Sequence, residues 1–247
     1  MLVALLADIH SNLEALQACL KHAAERGAER FAFLGDLVGY GPDPAAVVDL
    51  IAGYASRGAV VIRGNHDEAV QTGGGRELND EAHESIEWTR DALTDAQKTF
   101  LASLPLTVRN DSVCFVHSSA AAPEKWPYIH SAAEARASIE AAGATYVFSG
   151  HVHEQVLYFK TMAGKTAAFH PISGSAVPIH SHHSWLGIVG SVGQPRDGNP
   201  AAAYALFDDA KEEMTFFRVP YDHLTTASKI RRAGLPEWLA HRIENAV

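Results

Sequence analysis

The chain reads as an α/β protein built on two sheets, and three observations lead there. Strand and helix patterns alternate through the opening segment, strand patterns dominate the second half with one helix among them, and five apolar runs of strand type each end in a polar motif. Those runs are LVALLA, FAFL, AVVI, VCFV and YVFS. The motifs that close them are DIHSN (Asp8 to Asn12), GDL (Gly35 to Leu37), GNHD (Gly64 to Asp67), VHS (Val116 to Ser118) and GHVH (Gly150 to His153). Polar residues placed in this way gather along one edge of a sheet.

Taken in order, a strand at 2–7 precedes a helix from Leu13 to Glu25, which Ser11 or Asn12 would cap and Gly27 would stop. A strand at 31–34, a helix at 44–56 with Pro44 in its first turn, and a strand at 59–62 complete a β-α-β-α-β unit. Right-handed crossovers then make this sheet parallel, with the motif residues beyond its strand C-termini. The tract 68–104 is expected to be loop and helix, with the triple glycine at 73–75 as a loop and two helical stretches at 79–93 and 93–104 that could cover the site. Lacking a following Lys-Ser/Thr, the glycines do not form a phosphate-binding loop.

The second half supplies LTVRN, SVCFVHS, a helix at 134–143, YVFSGHVH, a hairpin of QVLYFKT with KTAAFH, and a further hairpin of AAAYALFD with MTFFRV. A second sheet follows from these. Residues 222–247 form two short amphipathic helices broken at Gly234 and Pro236, packed on the rest. A length of 247 residues with 47% hydrophobic content suits one large core, so a single domain over 1–247 is expected.

A net charge of −9 leaves no basic stripe for general nucleic-acid binding, and it repels anionic substrates unless bound cations reverse the field locally. Cys19 and Cys114 both lie in apolar segments, which points to reduced core thiols and the cytoplasm. LVALLA is too short to span a bilayer, lacks a basic leader and runs straight into the first motif, so neither a cleaved signal nor a membrane role is expected.

The chemistry follows from donor types. Asp8 and Asp36 offer carboxylates, His10, His117, His151 and His153 imidazoles, and Asn65 an amide oxygen. This mixed set suits Mn²⁺, Fe or Zn²⁺ better than Mg²⁺ or Ca²⁺. It is too large for one tetrahedral site but fits two ions about 3.5–4 Å apart, bridged by a carboxylate and a water-derived hydroxide. Asp36 is the natural bridging carboxylate.

The succession DxH, GD, GNHD, VHS, GHxH resembles the calcineurin-like metallophosphoesterases, directly over about residues 1–153. That resemblance implies a four-layer α/β/β/α sandwich with two packed mixed sheets, the metallo-dependent phosphatase fold. It implies one metal on Asp8, His10, Asp36 and His153, and a second on Asp36, Asn65, His117 and His151. It also implies that His66 contacts the phosphoryl group and protonates the leaving oxygen, with Asp67 orienting it. Where the protein serine/threonine phosphatases of the superfamily carry GDxVDRG, this chain has GDLVGYG, so Tyr40 replaces a phosphate-clamping arginine. Losing that cation favours singly charged diesters over dianionic monoesters, hence a phosphodiesterase.

GDLVGYGPDP and GSVGQPRDGNP (Gly190 to Pro200) look closest to the small bacterial and archaeal members. Arg196 in the second of these, and Arg63 before GNHD, are the candidates for touching substrate oxygens. The substrate would be a small phosphate ester or nucleotide. Alternatives are a nucleoside polyphosphate hydrolase of the diadenosine tetraphosphatase kind, a phosphomonoesterase, or a protein-binding scaffold that kept the fold after losing catalysis; a scaffold would be expected to have lost ligands, and here every position is filled. Finally, IHSHHSWLG offers His180, His182 and His183 as a third metal site, with an exposed loop or strand as the other reading.

Overall fold

A computed structural model describes residues 1–73, 80–110 and 112–247, the side chains of residues 80 and 81 excepted. The first strand, β1 (Leu2–Leu6), shows why its sequence is apolar at every position. Val3 and Leu5 face a second sheet, while Ala4 and Leu6 face helices. A strand covered on both sides reads as a continuous apolar run and not as an alternation. The next elements are α1 (Leu13–Glu25), β2 (Arg30–Leu34), α2 (Pro44–Ala55) and β3 (Val60–Ile62), and β1, β2 and β3 pair in parallel. Of the two cap candidates for α1, Asn12 takes the role: its side chain accepts from the Ala15 N–H.

Helices α3 (Asn65–Thr72), α4 (Asp80–Ala92) and α5 (Asp95–Ser103) follow. The sequence reading had no helix beginning at Asn65; Gly73, in the left-handed region at φ 85°, ends it. Of the expected 73–75 loop only Gly73 lies within the described residues. The remaining elements are β4 (Thr107–Arg109), β5 (Val113–Val116), α6 (Ala132–Ala142), β6 (Tyr146–Ser149), β7 (Gln155–Lys160), β8 (Thr166–Phe169), β9 (Ala176–Pro178), β10 (Ser184–Val189), β11 (Ala202–Asp208), β12 (Glu213–Val219), α7 (His223–Arg232) and α8 (Glu237–Asn245).

Two mixed six-stranded sheets result, ordered β3-β2-β1-β11-β12-β9 and β4-β5-β6-β10-β7-β8. Leu5, Leu34, Ile62, Phe207 and Phe216 from the first sheet meet Phe115, Phe148, Leu157 and Trp185 from the second in a buried layer. On the outer face of the first sheet, Leu6 and Phe33 pack with Leu16 and Cys19 of α1 and Val48 and Ile51 of α2. On the outer face of the second, Ile139 of α6 packs with Cys114, Val147 and Ile188. The fold is thus the four-layer α/β/β/α sandwich, and both cysteines are free and buried.

Two strands, β9 and β10, are additions to the sequence reading. In β10, which lies fourth in its sheet and pairs with β6 and β7, the run SWLGIV holds Trp185 to Val189 buried. The preceding histidines obscured it. His180 meets Glu212 at 3.2 Å and His182 packs on His183, but no metal-capable grouping of side chains among the described residues includes them. No helix among those residues is long and apolar enough to cross a membrane.

Candidate metal centre

Parallel strands carry the motifs to one place. Asp8, Asp36 and Asn65 follow β1, β2 and β3, while His117, His151 and His153 follow β5 and β6, so the C-terminal edges of both sheets converge. Ligand atoms of Asp8, His10 and His153 lie within 4.8 Å of one another, as do those of Asp36, His117 and His151. Asp36 Oδ2 stands 3.4 Å from His117 Nε2 and 3.8 Å from His10 Nε2, between the two groups. Asn65 Oδ1 lies 3.2 Å from His117 Nε2, and His153 Nε2 lies 3.4 Å from Asp8 Oδ1. All seven donors named from the sequence are therefore together.

The backbone is bent to present them. Asp8, His10, Asp36, His151 and His153 adopt φ between 46° and 68°, a region that costs a non-glycine residue about 1–3 kcal/mol. Close approach is the reason for two glycines: a Cβ on Gly64 would strike Asp36 and one on Gly150 would strike Asp8. Backbone carbonyls also set the imidazoles. Nδ1 of His10, His117 and His153 contacts the carbonyls of Val38, Leu34 and Gln194 at 3.3, 2.7 and 2.6 Å, so that each Nδ1–H donates and Nε2 is left for a ligand. His151 is the reverse, with Nε2 3.0 Å from the Trp126 carbonyl and Nδ1 left over.

The set fits divalent cations on chemical grounds. Two carboxylates, an amide oxygen and four imidazoles converge with their tautomers fixed, a donor set suited to borderline transition metals. The electrostatics fit as well. Burial opposes charge on His117, but Asp36 and Asp8 outweigh it and raise the imidazole to about 9. Burial likewise works against ionised Asp36, yet His117, His66 and His10 hold it well below the usual carboxylate range. Burial raises Asp8 to about 7 and lowers His151 to about 3. Nearly buried carboxylates this close together call for compensating positive charge, which cations would supply.

A cavity of about 470 Å³ opens beside these groups, with Asp36, Asn65, His66, His151 and His153 in its wall. Tyr40, Trp126, Tyr128, Arg196 and Arg242 also line it, together with the acidic Glu68 and Glu124 and the small side chains of Ala69, Thr72 and Ala82. His66, 4% exposed, stands on the first turn of α3 with its ring 4.4 Å from Tyr40 and 4.9 Å from His10. Its Nδ1 is buried against Gly39 and has no hydrogen-bond partner among the described residues. Burial lowers its pKa.

Two expectations need correction. Asp67 does not hold the His66 ring: Oδ1 accepts from the Leu37 and Val38 N–H groups at 2.9 and 3.2 Å, and Oδ2 from the Gly64 N–H at 2.9 Å. At the third position of α3 it is aimed back along the chain, so it ties the Asp36 loop to the start of that helix. Burial, and then the Asp36 charge, raise it to about 7 against the pull of those amides. Arg63 also departs, since its guanidinium reaches the Ala102 carbonyl of α5 and is not in the cavity wall.

Sequence reasoning missed Gln194, Trp126, Tyr128 and Arg242. Gln194 supplies the carbonyl that orients His153, and Tyr128 stacks on His151 at 4.0 Å between centroids. The run GSVGQPRDGNP signalled the first; nothing local signals the others, which act through tertiary packing.

Fold and site together define a metal-dependent phosphoesterase class. The chain belongs to the calcineurin-like phosphoesterase superfamily, whose domain model matches residues 1–212. The chain is 33% identical over 250 residues to an uncharacterized protein of Methanocaldococcus jannaschii, covering 98% of this chain and 97% of that one. A crystal structure of a metallophosphoesterase from Sphaerobacter thermophilus is similar at 33% identity and a TM-score of 0.87, covering 100% and 99% of the two chains. The fold also matches a hypothetical protein of Pyrococcus horikoshii at 22% identity and a TM-score of 0.82, over 100% and 98%.

Proposed function

We propose that residues 1–247 act as one cytoplasmic phosphodiesterase unit with two divalent metal ions. The observation that carries this reading is the convergence of seven metal-type donors beside a cavity that also holds His66. Asp8, His10 and His153 would hold one ion, His117, His151 and Asn65 the other, and Asp36 both. Bound there, the pair would acidify water and neutralise charge developing at phosphorus.

The chain's own residues do the rest. The carbonyls of Val38, Leu34, Gln194 and Trp126 keep four imidazoles in register. His66 presents Nε2–H to the leaving oxygen, and a phosphate anion drawn close raises its pKa toward a working acid. Tyr40, beside His66, gives the reacting phosphate a neutral neighbour where the related protein phosphatases carry an arginine, which supports a diester.

The test is metal analysis of purified protein beside turnover of bis(p-nitrophenyl) phosphate, p-nitrophenyl phosphate and a dinucleoside polyphosphate with Mn²⁺. We expect two ions per chain and the diester cleaved best. His66→Ala should lower kcat about 10²- to 10⁴-fold with metal content retained. Parent-like turnover by that variant would remove His66 as the acid, and preference for the polyphosphate would replace the diester reading.

A further inference from the structure

The seven donors include no group of fixed positive charge, yet the cavity beside them holds two guanidinium groups from distant parts of the chain. Arg196 follows β10. Arg242 lies on α8, beyond the family match that ends at residue 212. Gln194 Oε1 accepts from Arg196 Nη2 at 3.2 Å and from Arg242 Nη1 at 3.4 Å, so one neutral oxygen gathers two like charges. Arg196 forms no ion pair among the described residues, and its buried Nε has no hydrogen-bond partner.

The placement of Arg242 is built into the fold. Leu239, Ala240 and Ile243 of α8 pack with Ala227 and Ile230 of α7, and Tyr40 lies against the same cluster. Lys229 ties α7 to Glu14 of α1 and to Asp43 at the start of α2, while Tyr221 accepts from Asn12, the last residue of the first motif. The arginine's stem is steadied by Trp238, whose ring lies 5.3 Å from the guanidinium carbon.

We propose that Arg196 and Arg242 form an anion subsite for a second phosphate group, so that the substrate carries one phosphate besides the ester that is cleaved. This rests on the phosphoesterase reading above. Guanidinium forks match phosphate oxygens, and these two meet at one glutamine oxygen on the cavity wall. A net charge of −9 repels such a substrate at long range, and Glu68 and Glu124 lie in the same wall, so the guanidinium pair is the part of the cavity that attracts it. A cavity of about 470 Å³ is in the size range that holds a whole small ligand, well beyond one phosphoryl group.

The test uses two esters with the same scissile bond: thymidine 5′-(p-nitrophenyl phosphate) with and without a 3′-phosphate. The Mn²⁺-loaded parent should favour the 3′-phosphorylated ester in kcat/KM. Arg242→Gln and, independently, Arg196→Gln should reduce that preference about tenfold or more, the loss of one charge-assisted hydrogen bond, with Arg242→Lys retaining part of it. Equal losses on both esters, or no preference in the parent, overturn the proposal.

Calorimetric binding of thymidine 3′,5′-bisphosphate and thymidine 5′-phosphate to the chelator-treated parent and variants gives a second readout, with melting curves to confirm folding. If the parent cleaves neither ester, the phosphoesterase reading falls and binding alone decides. Weaker bisphosphate binding by Arg242→Gln then upholds the subsite, and equal binding rejects it.

Discussion

Replacing Asp67 with alanine separates two roles for this residue that the GNHD motif alone leaves together. Its carboxylate is fully buried and accepts three backbone N–H groups, from Leu37, Val38 and Gly64. Removing it orphans all three, at about 1–3 kcal/mol for each buried donor. Relief of a buried carboxylate close to Asp36 offsets part of this, so a net loss of about 3 kcal/mol is expected, a large share of the 5–15 kcal/mol typical of a domain. At this chain length that is a fall in Tm of roughly 6–12 °C.

Calorimetric melts of chelator-treated parent and Asp67→Ala would measure the fall, with metal content determined on the same samples. Since Leu37 and Val38 flank the Asp36 loop, metal retention should drop too. A variant that melts and binds metal like the parent but has lost kcat as His66→Ala does would refute this reasoning and restore Asp67 as a partner of the His66 ring.

Asp36→Ala should reduce metal content from two ions per chain to one or none by elemental analysis, because its Oδ2 lies between both donor groups; two ions retained would remove it as the bridge. Stripping metal should lower Tm, since the ions bind only the folded arrangement and contribute about 2.7 kcal/mol at a hundredfold excess over Kd. An unchanged melt would mean that they do not bind there. Arg63→Ala should keep KM for bis(p-nitrophenyl) phosphate within about twofold, as surface substitutions away from a site shift energies by less than about 0.5 kcal/mol; a large rise would return it to the substrate site.

The chain by itself determined the donor set and the strands that deliver it. Each donor directly follows an apolar run, and a donor's identity is local information, as is the β-α-β-α-β order that makes the first sheet parallel. Tertiary structure decided where side chains go once the chain has turned. Asp67 faces backbone amides and not its neighbour His66, Arg63 turns to α5, and Arg242 enters the cavity from the last helix. Such directions depend on positive-φ turns and on packing between segments remote in sequence. β10 was hidden for a related reason: its place is set by pairing with β6 and β7, while the sequence just before it is dominated by histidines. Residue types announce chemistry, but only the closed fold determines which of them face the same space.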